Sequence, residues 1–129
     1  TAKEVLKKYP EVKGILGTSS FDAPGTARAI DELGLKGKVF TAGTGMPAAN
    51  AQILKDGSVS TLTLWDPANA GYAMASLATK ILNGEQIEDG VNLGVEGYES
   101  MHFSSGSTKV LEGTGWLKIT KDNVDSLGF

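Results

Sequence analysis

Apolar residues change their spacing repeatedly along the first two-thirds of the chain. Short runs of aliphatic and β-branched residues, typical of buried strands, alternate with longer segments whose apolar residues recur at helical spacing. The pattern predicts helices at residues 2–9, 22–33, 47–56 and 67–83, and strands at residues 12–17, 38–42 and 59–65. This alternation is typical of an α/β fold, a parallel sheet with flanking helices joined by right-handed crossovers.

Two of the predicted helices have clear start signals. Asp22 precedes Pro24 and is predicted to be the N-cap of the second helix, with the proline in its first turn. Asp66 stands directly before Pro67 and is predicted to cap the longest helix in the same way. Gly84 is placed to stop that helix.

The longest predicted helix also carries an apolar stripe, on which its packing depends. Small residues on neighbouring turns would let the helix pack closely on a sheet. The stripe consists of Ala70, Met74, Leu77, Ala78 and Ile81.

The sequence changes character after Gly84. Residues 85–97 are polar and glycine-containing and are predicted to form a surface loop. Short strands are expected at residues 98–103, 109–111 and 116–119, followed by a helical turn at 121–126 that Thr120 caps. The glycine-rich segment 112–115 is predicted to be a hairpin turn between the last two strands.

Three strand-to-helix loops carry polar or aromatic residues. They are residues 18–22, residues 43–47 and the Trp65-Asp66 pair. In an open parallel sheet, loops at the carboxyl ends of the strands line the ligand crevice. The sequence therefore predicts a single small-molecule site built from three segments.

Composition narrows the function classes further. The 129 residues carry a net charge of −3, without a cluster of basic residues, which disfavours nucleic-acid binding. No apolar run approaches the roughly 18 residues of a membrane span. Cysteine is absent, which excludes disulfides and thiol chemistry. Because the sequence begins at Thr1 rather than Met, we expect a processed product or a fragment.

One motif supports an alternative function. Gly43, Gly45 and Ala48 match G-x-G-x-x-A between a strand and a helix, and Asp66 at the end of the next strand could bind a ribose. This predicts an NAD(P)-binding enzyme domain. Pro47 argues against it, because proline removes an N–H from the helix start that should hold the pyrophosphate.

Other candidate groups have simple structural interpretations. Capping alone would explain Asp66, although its carboxylate can also accept hydrogen bonds from ligand hydroxyls. Trp65 could belong to the core or present a flat ring to a sugar. His102 is the only histidine and has no neighbouring metal-ligand pattern, so a metal site or a Ser-His-Asp triad is not expected. We therefore expect a protein that is not an enzyme and uses no cofactor or metal.

Several segments together resemble a known family. They are Gly45-Met46-Pro47, Leu64 to Pro67 with Gly71-Tyr72, and the ending from Ile119 to Phe129. On these residues the chain resembles, over its whole length, the carboxyl-terminal part of a type I periplasmic sugar-binding protein, the solute receptor of an ABC importer. It is most similar to the rhamnose- and autoinducer-2-binding subgroup.

The resemblance implies two α/β lobes joined by three hinge strands, with the ligand closed between them. Residues 1–65 would belong to the carboxyl-terminal lobe, 66–103 to a hinge crossing and the other lobe, and 104–129 to a tail that returns to the hinge. Asp66 would bind ligand hydroxyls, and two loops would line the same wall. The implied ligand-binding residues are Thr18, Ser19, Ser20, Phe21, Thr44, Gly45, Met46, Trp65 and Asp66.

The family also implies partners and a location. The ligand would be a sugar or an autoinducer-2-like furanosyl compound, the protein partner a membrane permease, and the location the periplasm or, with a lipid anchor, the outer face of a Gram-positive cell. Most of the first lobe would be missing, so we expect association with the separated amino-terminal segment or with a second copy. The effector domain of a LacI-type regulator shares this fold and is a further alternative.

Overall fold

A computed structural model describes residues 1–129. In the first half of the chain, helices and strands alternate as the hydrophobic pattern predicts. The elements are α1 (Ala2–Lys8), β1 (Gly14–Leu16), α2 (Asp22–Glu32), β2 (Phe40–Thr44), α3 (Pro47–Lys55), β3 (Thr61–Trp65) and α4 (Pro67–Leu82), then β4 (His102–Phe103), β5 (Leu111–Glu112), β6 (Trp116–Ile119) and a short 3-10 helix, Val124–Ser126.

Four strands form the main sheet, in the order β1-β2-β3-β6. β1 pairs with β2 in parallel, with Ile15 opposite Thr41, and β2 pairs with β3 in parallel, with Gly43 opposite Leu62. The predicted parallel arrangement of the first three strands is therefore confirmed. Parallel strands joined by helices place their carboxyl ends at one edge of the sheet.

The chain divides into two compact units, residues 1–64 with 118–129, and residues 65–117. In the first unit, Leu6 of α1 and Ile30 of α2 are buried together with Val39, which precedes β2. Leu62 of β3 is completely buried, whereas Thr63, the next residue, is exposed. This alternation of burial is the period-two pattern of a strand.

The second unit has its own apolar cluster. Ala73 of α4, Leu93 and Met101 are buried there. The buried side of α4 is therefore centred on Ala73 and is rotated about the helix axis relative to the predicted stripe. Ala70 and Leu77 are half-buried, but Met74, Ala78 and Ile81 are exposed.

The predicted hairpin over residues 112–115 is wrong. β5 pairs antiparallel with β4, and β6 leaves to join the main sheet. The glycines of this segment serve close packing instead of a turn. A Cβ on Gly113 would lie 2.4 Å from Met101 Sδ, and one on Gly115 would lie 2.8 Å from the Tyr98 ring. Side chains from residues 98–101 therefore occupy the space that a β-carbon would need.

Candidate ligand-binding site

Two of the three predicted loops lie in the first unit, at the carboxyl ends of neighbouring parallel strands. Residues 17–21 follow β1, and residues 45–46 follow β2. β3, the next parallel strand, ends at Trp65, where the second unit begins. All nine predicted binding residues thus stand at or directly after a strand end, as the sequence predicts. Whether they touch a ligand stays a prediction.

The loop after β1 is held by a carboxylate. Asp22 Oδ2 accepts hydrogen bonds from the backbone N–H groups of Thr18, at 3.0 Å, and Ser19, at 2.9 Å. The prediction that Asp22 is the N-cap of α2 is therefore wrong. Phe21 occupies the cap position, and Asp22 is the first helical residue, with its side chain turned back toward the loop. The carboxylate fixes the loop backbone rather than the helix start.

Gly17 makes this arrangement possible. A β-carbon on Gly17 would lie 2.2 Å from Cβ of Asp22, so only glycine lets the Asp22 side chain fold over the loop. The Gly17 N–H donates to Ala42 O of β2 at 3.0 Å, which ties the loop to the sheet. We call this arrangement, in which the Asp22 carboxylate binds the Thr18 and Ser19 N–H groups, the Asp22 clamp. Its sequence signal is a glycine followed five residues later by an aspartate at a helix start. This pattern is too short to be recognised without the structure.

The Asp22 clamp occupies the first backbone donors of the loop and leaves its side chains exposed. Thr18 and Ser20 are exposed. The Ser19 hydroxyl accepts a 3.4 Å hydrogen bond from the Phe21 N–H, and the Phe21 side chain is 82% exposed. This segment can offer two hydroxyl groups and an aromatic ring to a ligand, but its first two N–H groups are already bonded.

The loop after β2 is shaped by close packing. A β-carbon on Gly43 would lie 2.8 Å from Gly17 O, and one on Gly45 would lie 2.9 Å from Asn50 Nδ2. Buried Asn50 donates from Nδ2 to Met46 O at 2.9 Å, which holds the loop against the first turn of α3. The side chain of Met46 itself is 40% exposed, and Thr44 ends β2 half-buried.

These contacts weigh against the dinucleotide interpretation. Gly43 and Gly45 are explained by packing against protein atoms, without a pyrophosphate. Pro47, at the first position of α3, has no N–H, and the next N–H, of Ala48, donates to Phe129 O at 3.2 Å. The helix start that should bind phosphate therefore has its first donors absent or occupied.

Asp66 caps α4 as predicted. Its Oδ1 accepts from Ala68 N at 2.7 Å and from Asn69 N at 3.1 Å. Within residues 65–117, no donor reaches Oδ2, and the residue is only half-buried. One carboxylate oxygen thus stabilises the helix while the other remains able to accept a hydrogen bond.

Trp65 has a structural partner that the sequence interpretation missed. Its ring meets that of Trp116 edge to face, with centroids 5.4 Å apart and planes at 85°. Trp65 also lines an apolar cavity of about 380 Å³ within the second unit, together with Ala73, Leu93 and Met101. It is nevertheless 43% exposed, so one part of the ring packs and another part remains accessible. Two tryptophans 51 residues apart gave no sequence signal of contact.

Two further features are absent from the structure. No group of three or more His, Asp or Glu side chains is arranged to hold a metal ion. None of the helices has both the length and the apolar character that a membrane span would require.

Comparison with known proteins identifies the family. The family described as "periplasmic binding protein domain" matches residues 1–86, two-thirds of the chain. The chain belongs to this family. The sequence-based identification of a type I periplasmic sugar-binding protein is therefore confirmed, together with the α/β fold class.

Solved structures agree with this assignment. A sugar ABC transporter protein from Actinomyces odontolyticus superposes with a TM-score of 0.79 at 28% identity, over 99% of this chain and 41% of that chain. LsrB from Clostridium saccharobutylicum, in complex with AI-2, gives 0.73 at 20% identity, over 99% and 43%. AraP, an arabinose-binding protein from Geobacillus stearothermophilus, gives 0.69 at 24%, over 99% and 40%. The chain spans about two-fifths of the length of these proteins.

Proposed function

We propose that this chain is the carboxyl-terminal part of a solute receptor that binds a sugar or sugar-like ligand for an ABC importer. The observation that carries the proposal is the family match over residues 1–86, which includes all nine predicted binding residues. The receptor would act outside the cytoplasm and deliver its ligand to a membrane permease. In this proposal the rest of the receptor would form a first lobe that closes over the ligand.

The hydrogen bonds within the loops support an uncharged ligand for this proposed site. Asp22 occupies the first N–H groups of the β1 loop, and Asp66 occupies the first N–H groups of α4. At the start of α3 the Ala48 N–H is also bonded. Anions bind where helix and loop N–H groups are free, so these three segments favour an uncharged ligand. Two carboxylates at the strand ends would further repel an anion.

The polar groups that remain suit a polyhydroxylated molecule. Asp66 Oδ2 would accept from ligand hydroxyls, and the Thr18 and Ser20 hydroxyls would donate or accept. Phe21 and the accessible part of Trp65 would pack on carbon–hydrogen faces of the ligand. Ser19, Thr44, Gly45 and Met46 would complete the wall. Within this class, a deoxyhexose such as rhamnose or an autoinducer-2-like furanosyl compound is our specific proposal.

Thermal unfolding of the full-length receptor with a ligand panel tests the proposal. The panel pairs neutral compounds with charged counterparts, namely arabinose with arabinose 5-phosphate and galactose with galacturonate. It also includes rhamnose, autoinducer-2 and NADH. A ligand at a hundred times its Kd should stabilise the receptor by about 2.7 kcal/mol. We expect at least one neutral member to do so. Stabilisation by the charged counterparts alone would contradict the uncharged-ligand proposal, and stabilisation by NADH alone would contradict the receptor function.

A further inference from the structure

The only histidine of the chain lies between a hydroxyl and a carboxylate. His102 Nε2 is 3.1 Å from Ser100 Oγ, and His102 Nδ1 is 3.0 Å from Asp89 Oδ2. No sequence pattern predicts this contact, because Asp89 is 13 residues from His102 and stands in a polar loop. All three residues belong to the second unit, and none is among the predicted ligand-binding residues.

Backbone hydrogen bonds hold these groups in place. Two backbone hydrogen bonds join the loop that carries Asp89 to Met101. Gly90 N donates to Met101 O at 2.8 Å, and Met101 N donates to Val91 O at 2.9 Å. Asp89 Oδ1 accepts from Phe103 N at 2.7 Å, which leaves Oδ2 directed at the imidazole. His102 is further fixed by its pairing with Glu112 in the β4–β5 ladder.

These contacts determine which imidazole nitrogen carries the proton. The hydrogen bonds from His102 and from the Phe103 N–H lower the pKa of Asp89, so this carboxylate is ionised and can only accept. The neutral imidazole must then have its proton on Nδ1. Its Nε2 presents a lone pair to the Ser100 hydroxyl, which is the arrangement of a general base beside a nucleophile.

We propose that Ser100 is a nucleophilic serine that takes an acyl group from activated esters or thioesters. Ser100 Oγ would attack the acyl carbonyl while its proton moves to His102 Nε2. When the tetrahedral intermediate collapses, the bond to the leaving group breaks, and that group departs with the proton from Nε2. The products are an O-acyl serine and a free alcohol or thiol. The Ser100 N–H makes no hydrogen bond within residues 65–117 and could stabilise the oxyanion.

The site is open rather than enclosed. His102 and Asp89 are each 61% exposed, so an acyl donor can reach the hydroxyl without movement of the chain. Exposure also weakens the electrostatic help from Asp89, because water screens the pair. We therefore expect slow, stoichiometric acylation of one serine, not rapid turnover. This is compatible with a receptor family whose members bind solutes.

Labelling of the 129-residue chain with p-nitrophenyl acetate tests the proposal. Peptide mass spectrometry should locate an O-acetyl group on Ser100, and Ser100→Ala should remove it. Ser105→Ala, a change of an exposed serine in the neighbouring loop, is the matched control and should leave labelling unchanged. Equal labelling of several serines, or labelling of lysines alone, would overturn the proposal.

A second variant separates base assistance from simple exposure. Asp89→Asn keeps the size of the side chain but can present an N–H to His102 Nδ1, which moves the imidazole proton to Nε2 and removes the base. We expect the rate of Ser100 labelling to fall at least about tenfold, which is below the roughly 10²–10⁴-fold of well-positioned general bases because this site is open to water. Circular dichroism would confirm that the variant is folded. An unchanged rate in folded Asp89→Asn would show that Ser100 reacts without the imidazole.

Discussion

At the scale of single residues, Asp66 combines a structural role with a proposed binding role. Its Oδ1 caps α4, and its Oδ2 has no donor within the second unit. Asp66→Asn should keep most of the cap, because asparagine caps helices about as well as aspartate. In the full-length receptor it should still weaken sugar binding by roughly 1.5–3 kcal/mol, through loss of a charge-assisted hydrogen bond.

Calorimetry with the best ligand of the panel measures the effect of Asp66→Asn, and thermal unfolding without ligand measures the stability of the cap. The control is Asp66→Ala, which should lower both affinity and stability. If Asp66→Asn binds as tightly as the unchanged receptor, the residue is a cap only.

Gly17 allows a second test at the residue scale. Gly17→Ala places a β-carbon against Asp22, and the side chain must then leave the Thr18 and Ser19 N–H groups. We expect a loss of stability of about 1–3 kcal/mol from overpacking and broken hydrogen bonds. Gly128→Ala is the matched control, since Gly128 lies outside the helices and a β-carbon there meets no atom within 4 Å. Chemical denaturation compares the two, and equal stabilities would contradict the clamp.

The sequence predicts the positions of these residues better than their partners. Asp66 before Pro67 has a local signal, because an N-cap bonds to N–H groups two and three residues later. Asp22 carries the same local signal, yet its side chain bonds backward, since Gly17 leaves space there. Trp65 with Trp116, and His102 with Asp89, join residues far apart in the chain, and such contacts depend on the tertiary fold.

At the scale of elements, α1 and α2 are connected by an ion-pair cluster. Glu32 of α2 accepts hydrogen bonds from Lys3 of α1 and from Arg28 within α2. These bonds lower the pKa of Glu32 from 4.5 to about 2. A carboxylate whose pKa is lowered by folding stabilises the folded state at pH values above its pKa in the unfolded chain. This contribution is lost as the pH falls toward the folded pKa of about 2.

Glu32→Gln should remove that part of the pH dependence. Denaturant midpoints measured between pH 6 and pH 2 should fall less steeply for the variant than for the unchanged chain. Glu11→Gln serves as control, because Glu11 lies in a turn and forms no ion pair, and it should follow the unchanged chain. Parallel curves for all three would show that the cluster does not contribute, as is found for many exposed ion pairs.

Element types were predictable where local signals agreed. Each helix from α1 to α4 and each strand from β1 to β3 has a hydrophobic period that is sufficient to identify it. The strands of the tail are different. β5 pairs with β4 rather than β6, and Met101 and Tyr98 occupy the space beside Gly113 and Gly115. Strand pairing of short segments depends on such distant contacts more than on the turn sequence.

At the scale of the whole molecule, α4 presents an apolar surface that nothing in the second unit covers. Its outer face, formed by Met74, Ala78 and Ile81, is exposed, and Met74 and Ile81 are 73% and 56% exposed. Exposed apolar patches often mark an interface. Because the chain spans about two-fifths of its solved relatives, the proposed occupant in the full receptor is the remaining chain.

The isolated 129-residue chain should therefore self-associate through the outer face of α4. Sedimentation velocity over a concentration series should show a reversible dimer, and Ile81→Asp should shift it toward monomer. Thr79→Asp is the control for a charge placed elsewhere on α4, because Thr79 is exposed and stands two residues from Ile81, on the opposite side of the helix. In the full receptor, Ile81→Asp should lower the unfolding temperature because it places a charge in a buried contact, whereas Thr79→Asp should not. A stable monomer at high concentration, together with an unaffected full receptor, would show that this face needs no partner.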